Sequence, residues 1–192
     1  MTQIKHYNYS EHEISDIIID TNTSEYLWVA FKQDSSGNCV LQKLSAHNPL
    51  QKYFDIDIVA TEISKLIINS TNLYVALNDV TYFAKIYDVT NPLSDVTSIS
   101  IPSGITQKPI DIVVGDNLYI LLPGSTGGTN AKICVFTTAG VYSETIDLPT
   151  VTNAVSFTID SNNNLWVITD ELITTLIRVY DDSGWTIQST TL

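Results

Sequence analysis

Four copies of one short motif at a nearly constant interval predict an all-β chain. The fold class is a four-bladed β-propeller built from four repeats of about 46 residues, each a four-stranded meander. The copies are Leu27-Trp28-Val29-Ala30, Leu73-Tyr74-Val75-Ala76, Leu118-Tyr119-Ile120-Leu121 and Leu165-Trp166-Val167-Ile168, with steps of 46, 45 and 47 residues from leucine to leucine. A second marker keeps the same register. Leu44, Tyr87, Phe136 and Tyr180 each stand just before a turn, at Asn48-Pro49, Asn91-Pro92, Ala139-Gly140 and Ser183-Gly184. No stretch of useful length carries a helical period.

The chain reads as a single domain, 1–192, with an N-terminal arm at 1–13 and blades at 14–62, 63–108, 109–153 and 154–192. The first blade opens with the β-branched run Ile17-Ile18-Ile19, continues through the 27–31 strand, and turns at Lys32 to Asn38, rich in Asp, Ser and Gly. Strands at 39–45 and 51–58 complete it. The second blade repeats the parts at 63–68, 73–77, 83–89 and 95–101, and the third at 110–114, 118–122, 132–137 and 141–148. The fourth has 155–159, 165–169, 176–181 and 185–191. Runs such as Ile112-Val113-Val114 are continuously apolar because blades pack on both faces.

Both chain ends offer a last strand for the ring. Trp185 to Thr191 forms a local hairpin with 176–180, the shorter loop to close, and is favoured. That frees Ile4, Lys5, His6, Tyr7, Asn8 and Tyr9 as an assembly arm able to add a strand to another molecule. Whether the ring closes within one chain or between chains stays open.

Composition narrows the partners. With 9 Lys+Arg against 21 Asp+Glu the net charge is −12, and there is no basic patch, so nucleic acid is not an expected partner. Hydrophobic residues are 44% and charged residues 16%, as in a folded domain. No apolar run approaches membrane-spanning length, and Met1 to Tyr7 lacks the apolar centre of a secretory signal. The expectation is no membrane insertion, with the chain cytoplasmic or incorporated into a virus particle. Cys39 and Cys134 fall in different repeats and imply buried thiols rather than a disulfide.

Asp160-Ser161-Asn162-Asn163-Asn164-Leu165-Trp166-Val167, followed by Ile177-Arg178-Val179-Tyr180, resembles the NHL-type and YVTN-type propeller repeats. Those repeats carry an Asp/Asn-rich turn, a Leu-aromatic-Val strand and a Val-aromatic-Asp strand. The chain departs from them at Leu122-Pro123, where the usual Asp is missing, and in lacking a regular hairpin Gly. The resemblance implies a binding platform in most cases and an enzyme in a minority.

Candidate sites follow from exposed chemistry. Trp185 and Tyr142 stand at turn exits, and Gly124, Ser125, Thr126, Gly127, Gly128, Thr129 and Asn130 form the longest hairpin loop, so these are the tentative binding residues. Trp28 and Trp166 share a strand position with Tyr74 and Tyr119 and are expected in blade packing. Asp16, Lys65, Asp111 and Ser156 align near the start of each first strand, where Asp16 and Asp111 offer a calcium site at a channel mouth. No cofactor is expected, calcium being the one candidate, and Lys65 could neutralise the two carboxylates instead. Asp160 to Asn164 only partly fits a calcium loop, because Leu165 stands where that loop needs Gly, and a hairpin turn is expected.

These readings favour a non-enzymatic module for protein binding or self-association, with a virus or phage particle component as the specific expectation. A carbohydrate-binding, lectin-like propeller recognising a glycan is the first alternative. A calcium-dependent lactonase-like hydrolase is the second.

Overall fold

The computed structural model describes residues 13–20, 25–32, 37–45, 51–94, 96–124, 129–149, 151, 153–171, 174–180 and 186–191. These form four antiparallel four-stranded sheets, and no helix occurs among the described residues. Blade 1 is β1 (Ile14–Ile19), β2 (Tyr26–Phe31), β3 (Cys39–Ser45) and β4 (Lys52–Ile58). Blade 2 is β5 (Glu62–Asn69), β6 (Asn72–Asn78), β7 (Tyr82–Asp88) and β8 (Thr97–Ser100). Blade 3 is β9 (Asp111–Val114), β10 (Asn117–Leu122), β11 (Lys132–Thr137) and β12 (Tyr142–Asp147). Blade 4 is β13 (Ala154–Ile159), β14 (Leu165–Glu171), β15 (Thr174–Tyr180) and β16 (Thr186–Thr191). Strands pair in chain order within every sheet, which is the meander of a propeller blade. The chain is a four-bladed β-propeller. Its last strand, β16, pairs with β15 as the shorter loop favours. The arm residues Ile4 to Tyr9 lie outside the described residues.

Three of the four first strands carry a bulge at one position. Ser15, Ser64 and Val155 are extra residues, so Asp16, Lys65 and Ser156 come to face Ala30, Ala76 and Ile168. Asp111 faces Leu121 at the same place in blade 3. The four residues aligned in the sequence are therefore equivalent in space. Each bulge also shifts the inward and outward alternation by one residue, which places Asp16 and Ile18 on the Trp28 face of blade 1.

The core lies between blades rather than within them. Trp28 and Ala30 of β2 pack with Leu66, Leu73 and Val75 of blade 2. Tyr74 and Ala76, on the other face of β6, pack with Leu118, Ile120 and Ile112 of blade 3. Tyr119 and Leu121 then pack with Leu165, Val167 and Phe157 of blade 4. Each second strand thus shows odd and even residues to different neighbours. Burying a leucine or phenylalanine there contributes about 1.5–3 kcal/mol, which is why the central strands are apolar on both faces. Gly140, at φ +86°, lets the β11–β12 turn approach blade 2, since a Cβ there would stand 3.2 Å from the Thr97 side chain and 3.3 Å from that of Ile99. Cys39 and Cys134 are buried thiols not joined in a disulfide, and burial raises the Cys134 thiol pKa.

The sequence of contacts has two ends. Strand β1 packs on β5, β5 on β9 and β9 on β13, but no comparable contact joins β13 back to β1. Among the described residues, the first and last blades each keep one face without a neighbouring blade.

Candidate functional site

The missing neighbour is most visible at the aromatic of the repeated motif. Trp28, Tyr74 and Tyr119 are 0%, 1% and 6% exposed, whereas Trp166 is 40% exposed. All four point toward the position of the next blade, and among the described residues only Trp166 has none there. The sequence expectation that Trp28 and Trp166 are both packed therefore holds for Trp28 alone. The correction has a simple cause: burial at this position is supplied by the following blade, not by the strand that carries the ring.

The indole is held in place from below. Asp160 closes the turn before β14 by accepting hydrogen bonds from the backbone N–H groups of Asn162 (2.8 Å) and Asn164 (2.9 Å), with Asn163 at φ +62°. Its Oδ2 accepts from the Asn164 side-chain amide at 2.9 Å and from the Trp166 indole N–H at 3.0 Å. The run is a hairpin turn, as its chemistry predicts. The indole N–H, then the Asn164 amides and the Asn162 N–H, favour the carboxylate and lower the Asp160 pKa to about 2. Trp166 thus has its only polar atom satisfied while its ring faces outward. Around it, Ser156, Phe157, Thr158, Ile168 and Ile177 line a shallow cavity of about 250 Å³ that is almost wholly apolar. Val155 at the bulge and Ile168 extend the exposed apolar strip.

The aligned carboxylates join neighbouring blades. The Leu66 N–H donates to Asp16 Oδ2 at 2.7 Å, and the Ile17 N–H donates to Oδ1 at 2.9 Å. In the same way, the Phe157 N–H (3.1 Å) and Ser156 Oγ (2.5 Å) donate to Asp111 Oδ2, while the Ile112 N–H donates to Oδ1 at 2.9 Å. Each Asp therefore ties its blade to the backbone of the next, blade 1 to 2 and blade 3 to 4. Among the described residues no group of three His, Cys, Asp or Glu side chains gathers in metal-holding geometry.

Blades 1 and 2 are also joined by Lys43, whose Nζ donates to the Val89 carbonyl at 2.9 Å and lies 4.5 Å from the Tyr26 ring centre and 5.2 Å from that of Trp28. Asp20 stands 4.0 Å away. Burial lowers the Lys43 pKa against the opposing pull of Asp20. At the next boundary Tyr74 makes the matching bond, its hydroxyl donating to the Thr138 carbonyl at 3.2 Å. Lys43 lines a cleft of about 380 Å³ together with Tyr26, Tyr53, Phe54 and Pro92.

Tyr142 and the described residues of the 123–130 loop are not gathered into one site. Tyr142 is exposed, its ring edge-on to Phe136 and its hydroxyl 2.9 Å from Thr145 Oγ1. It pairs with Phe136 at one end of β11, whereas Gly124, Thr129 and Asn130 belong to the loop that enters β11 at the other end, next to Lys132. Trp185, Ser125, Thr126, Gly127 and Gly128 lie outside the described residues. The open face of blade 4 was not legible from residue type, because its marker is a residue that is buried in the other copies.

No protein-family model and no curated protein matches the chain. Among solved structures it is similar to streptogramin B lyase, at 16% identity and a TM-score of 0.66, covering 95% of this chain and 55% of that one. It is also similar to the Neurospora crassa Pan2 WD40 domain, at 11% identity and TM-score 0.68, covering 96% of this chain and 52% of that one. The RRP9 WD40 repeats match at 12% identity and TM-score 0.60, covering 94% and 57%. The chain spans about half the length of the structures it matches. These likenesses show a β-propeller-repeat protein, and since they include a lyase beside WD40 domains, the fold leaves catalysis or binding to be argued from the site.

Proposed function

We propose that the chain is a non-enzymatic propeller module for protein binding and assembly, and that its docking surface is the open face of blade 4. The observation that carries this reading is Trp166, an aromatic ring with its N–H already bonded to Asp160 and 40% of its surface still exposed among Val155, Ile168 and Ile177. A large aromatic held in one orientation at the centre of an apolar patch loses little entropy on binding, which is the character of an interface anchor. A virus or phage particle is one assembly that would use such a module.

The test compares the wild-type chain with Trp166→Asp as immobilised bait against extract of the source cells or particles. Proteins retained by the wild type and released by the substitution support the reading. A glycan array bound by the wild type and not by the variant would replace the protein partner with a sugar. Equal retention by both forms contradicts the assignment of the face.

A further inference from the structure

We infer that the occupant of blade 4's open face is blade 1 of a second copy of this chain, so that two copies close one ring. The inference rests on the docking reading above and names its partner. The structure already contains the proposed interface three times, between blades 1 and 2, 2 and 3, and 3 and 4. In each, the face bearing the motif aromatic meets the opposite face of the following blade. Among the described residues, blade 4 has the first half of that interface and no second half.

Blade 1 supplies the second half. The residues of the first strands that meet the preceding blade are Leu66, Ile112 and Phe157, exposed by 2%, 0% and 5%. Their equivalent in blade 1, Ile17, is 52% exposed, and its same-face neighbour Ile19 is exposed as well. Farther out on that face Val29, Phe31 and Leu44 are already covered, so the open surface is a strip along β1. On blade 4 the open surface is likewise a strip along β13 and β14, since Val179 on β15 is buried. The two strips are the inner edges of one blade junction. The contact is head-to-tail, and a head-to-tail contact must either close or run on as a filament. Two copies of four blades make a ring of eight, within the usual span of about four to eight.

Sedimentation analysis of the full chain at about 100 µM tests this, using Trp166→Asp and Ile17→Asp, two exposed positions, with circular dichroism as the check of folding. The expected wild-type mass is twice the 21.3 kDa of one chain, and each variant alone shifts to the single-chain mass. An equimolar mixture of the two variants recovers the two-chain species, because one of its two junctions pairs intact faces. A wild-type mass of one chain overturns the inference, and Trp166-dependent retention of another protein would then leave the docking reading standing. A two-chain species lost in Trp166→Asp but kept in Ile17→Asp overturns the head-to-tail contact in favour of two blade-4 faces meeting. A two-chain species kept in both variants overturns the inference and the assigned face together.

Discussion

Replacing Asp111 by alanine removes the side chain that ties blade 3 to blade 4. The carboxylate is 6% exposed and accepts from Ile112, Ser156 and Phe157, so the substitution leaves the buried Phe157 N–H without a partner. A hydrogen bond to a charged group contributes about 1.5–3 kcal/mol, and an orphaned buried donor costs about 1–3 kcal/mol, so the expected loss is about 3 kcal/mol. Asp16→Ala removes the matching tie between blades 1 and 2, but that carboxylate is only half-buried, and about half the loss is expected. Urea unfolding followed by circular dichroism reads this directly. At a slope of about 2 kcal/mol/M, the Asp111→Ala midpoint falls by about 1.5 M. Amide exchange gives the local view: the Phe157 N–H should exchange on the order of 100-fold faster, while the Leu66 N–H keeps its protection. A midpoint within about 0.2 M of wild type, or an unchanged Phe157 amide, would refute the role of the carboxylate as a blade tie.

The two equivalent tryptophans should respond unequally. Trp28→Ala empties a fully buried site and is expected to cost about 3–5 kcal/mol, while Trp166→Ala, measured on single chains in dilute solution, costs less than half of that. Denaturant midpoints check the difference, and equal losses would contradict the open face. Acid should release the Trp166 indole. Asp160 has its pKa depressed to about 2, so the stabilisation is present above the unfolded value near 3.8 and is lost as pH falls through about 2. The Trp166 indole N–H resonance should move with a midpoint near that lower value, and Asp160→Asn should remove the transition.

The blades were legible because a Leu-aromatic-Val strand at a steady interval leaves little choice of sheet, and because Tyr87 and Phe136 keep a second marker in register. The bulges were not. Ser15, Ser64 and Val155 sit in runs where an extra residue changes no composition, yet each decides which face its neighbours occupy. Asp16 and Asp111 stood out in the sequence, but their partners are backbone N–H groups in the next blade, which no residue type announces. Trp166 was hidden by its own repeat. Its copies are buried by the blade that follows each of them, and residue type does not announce that none follows blade 4 among the described residues.

The most direct measurement is oxidative footprinting of tryptophan across a dilution series. Peptide-level mass spectrometry reports Trp28 and Trp166 separately. Trp28 should stay unmodified throughout, whereas Trp166 should be oxidised in dilute solution and become protected as the chain is concentrated. Oxidation of Trp166 at the same rate at every concentration, or protection of both rings in dilute solution, would contradict an open blade 4 that closes on a second copy.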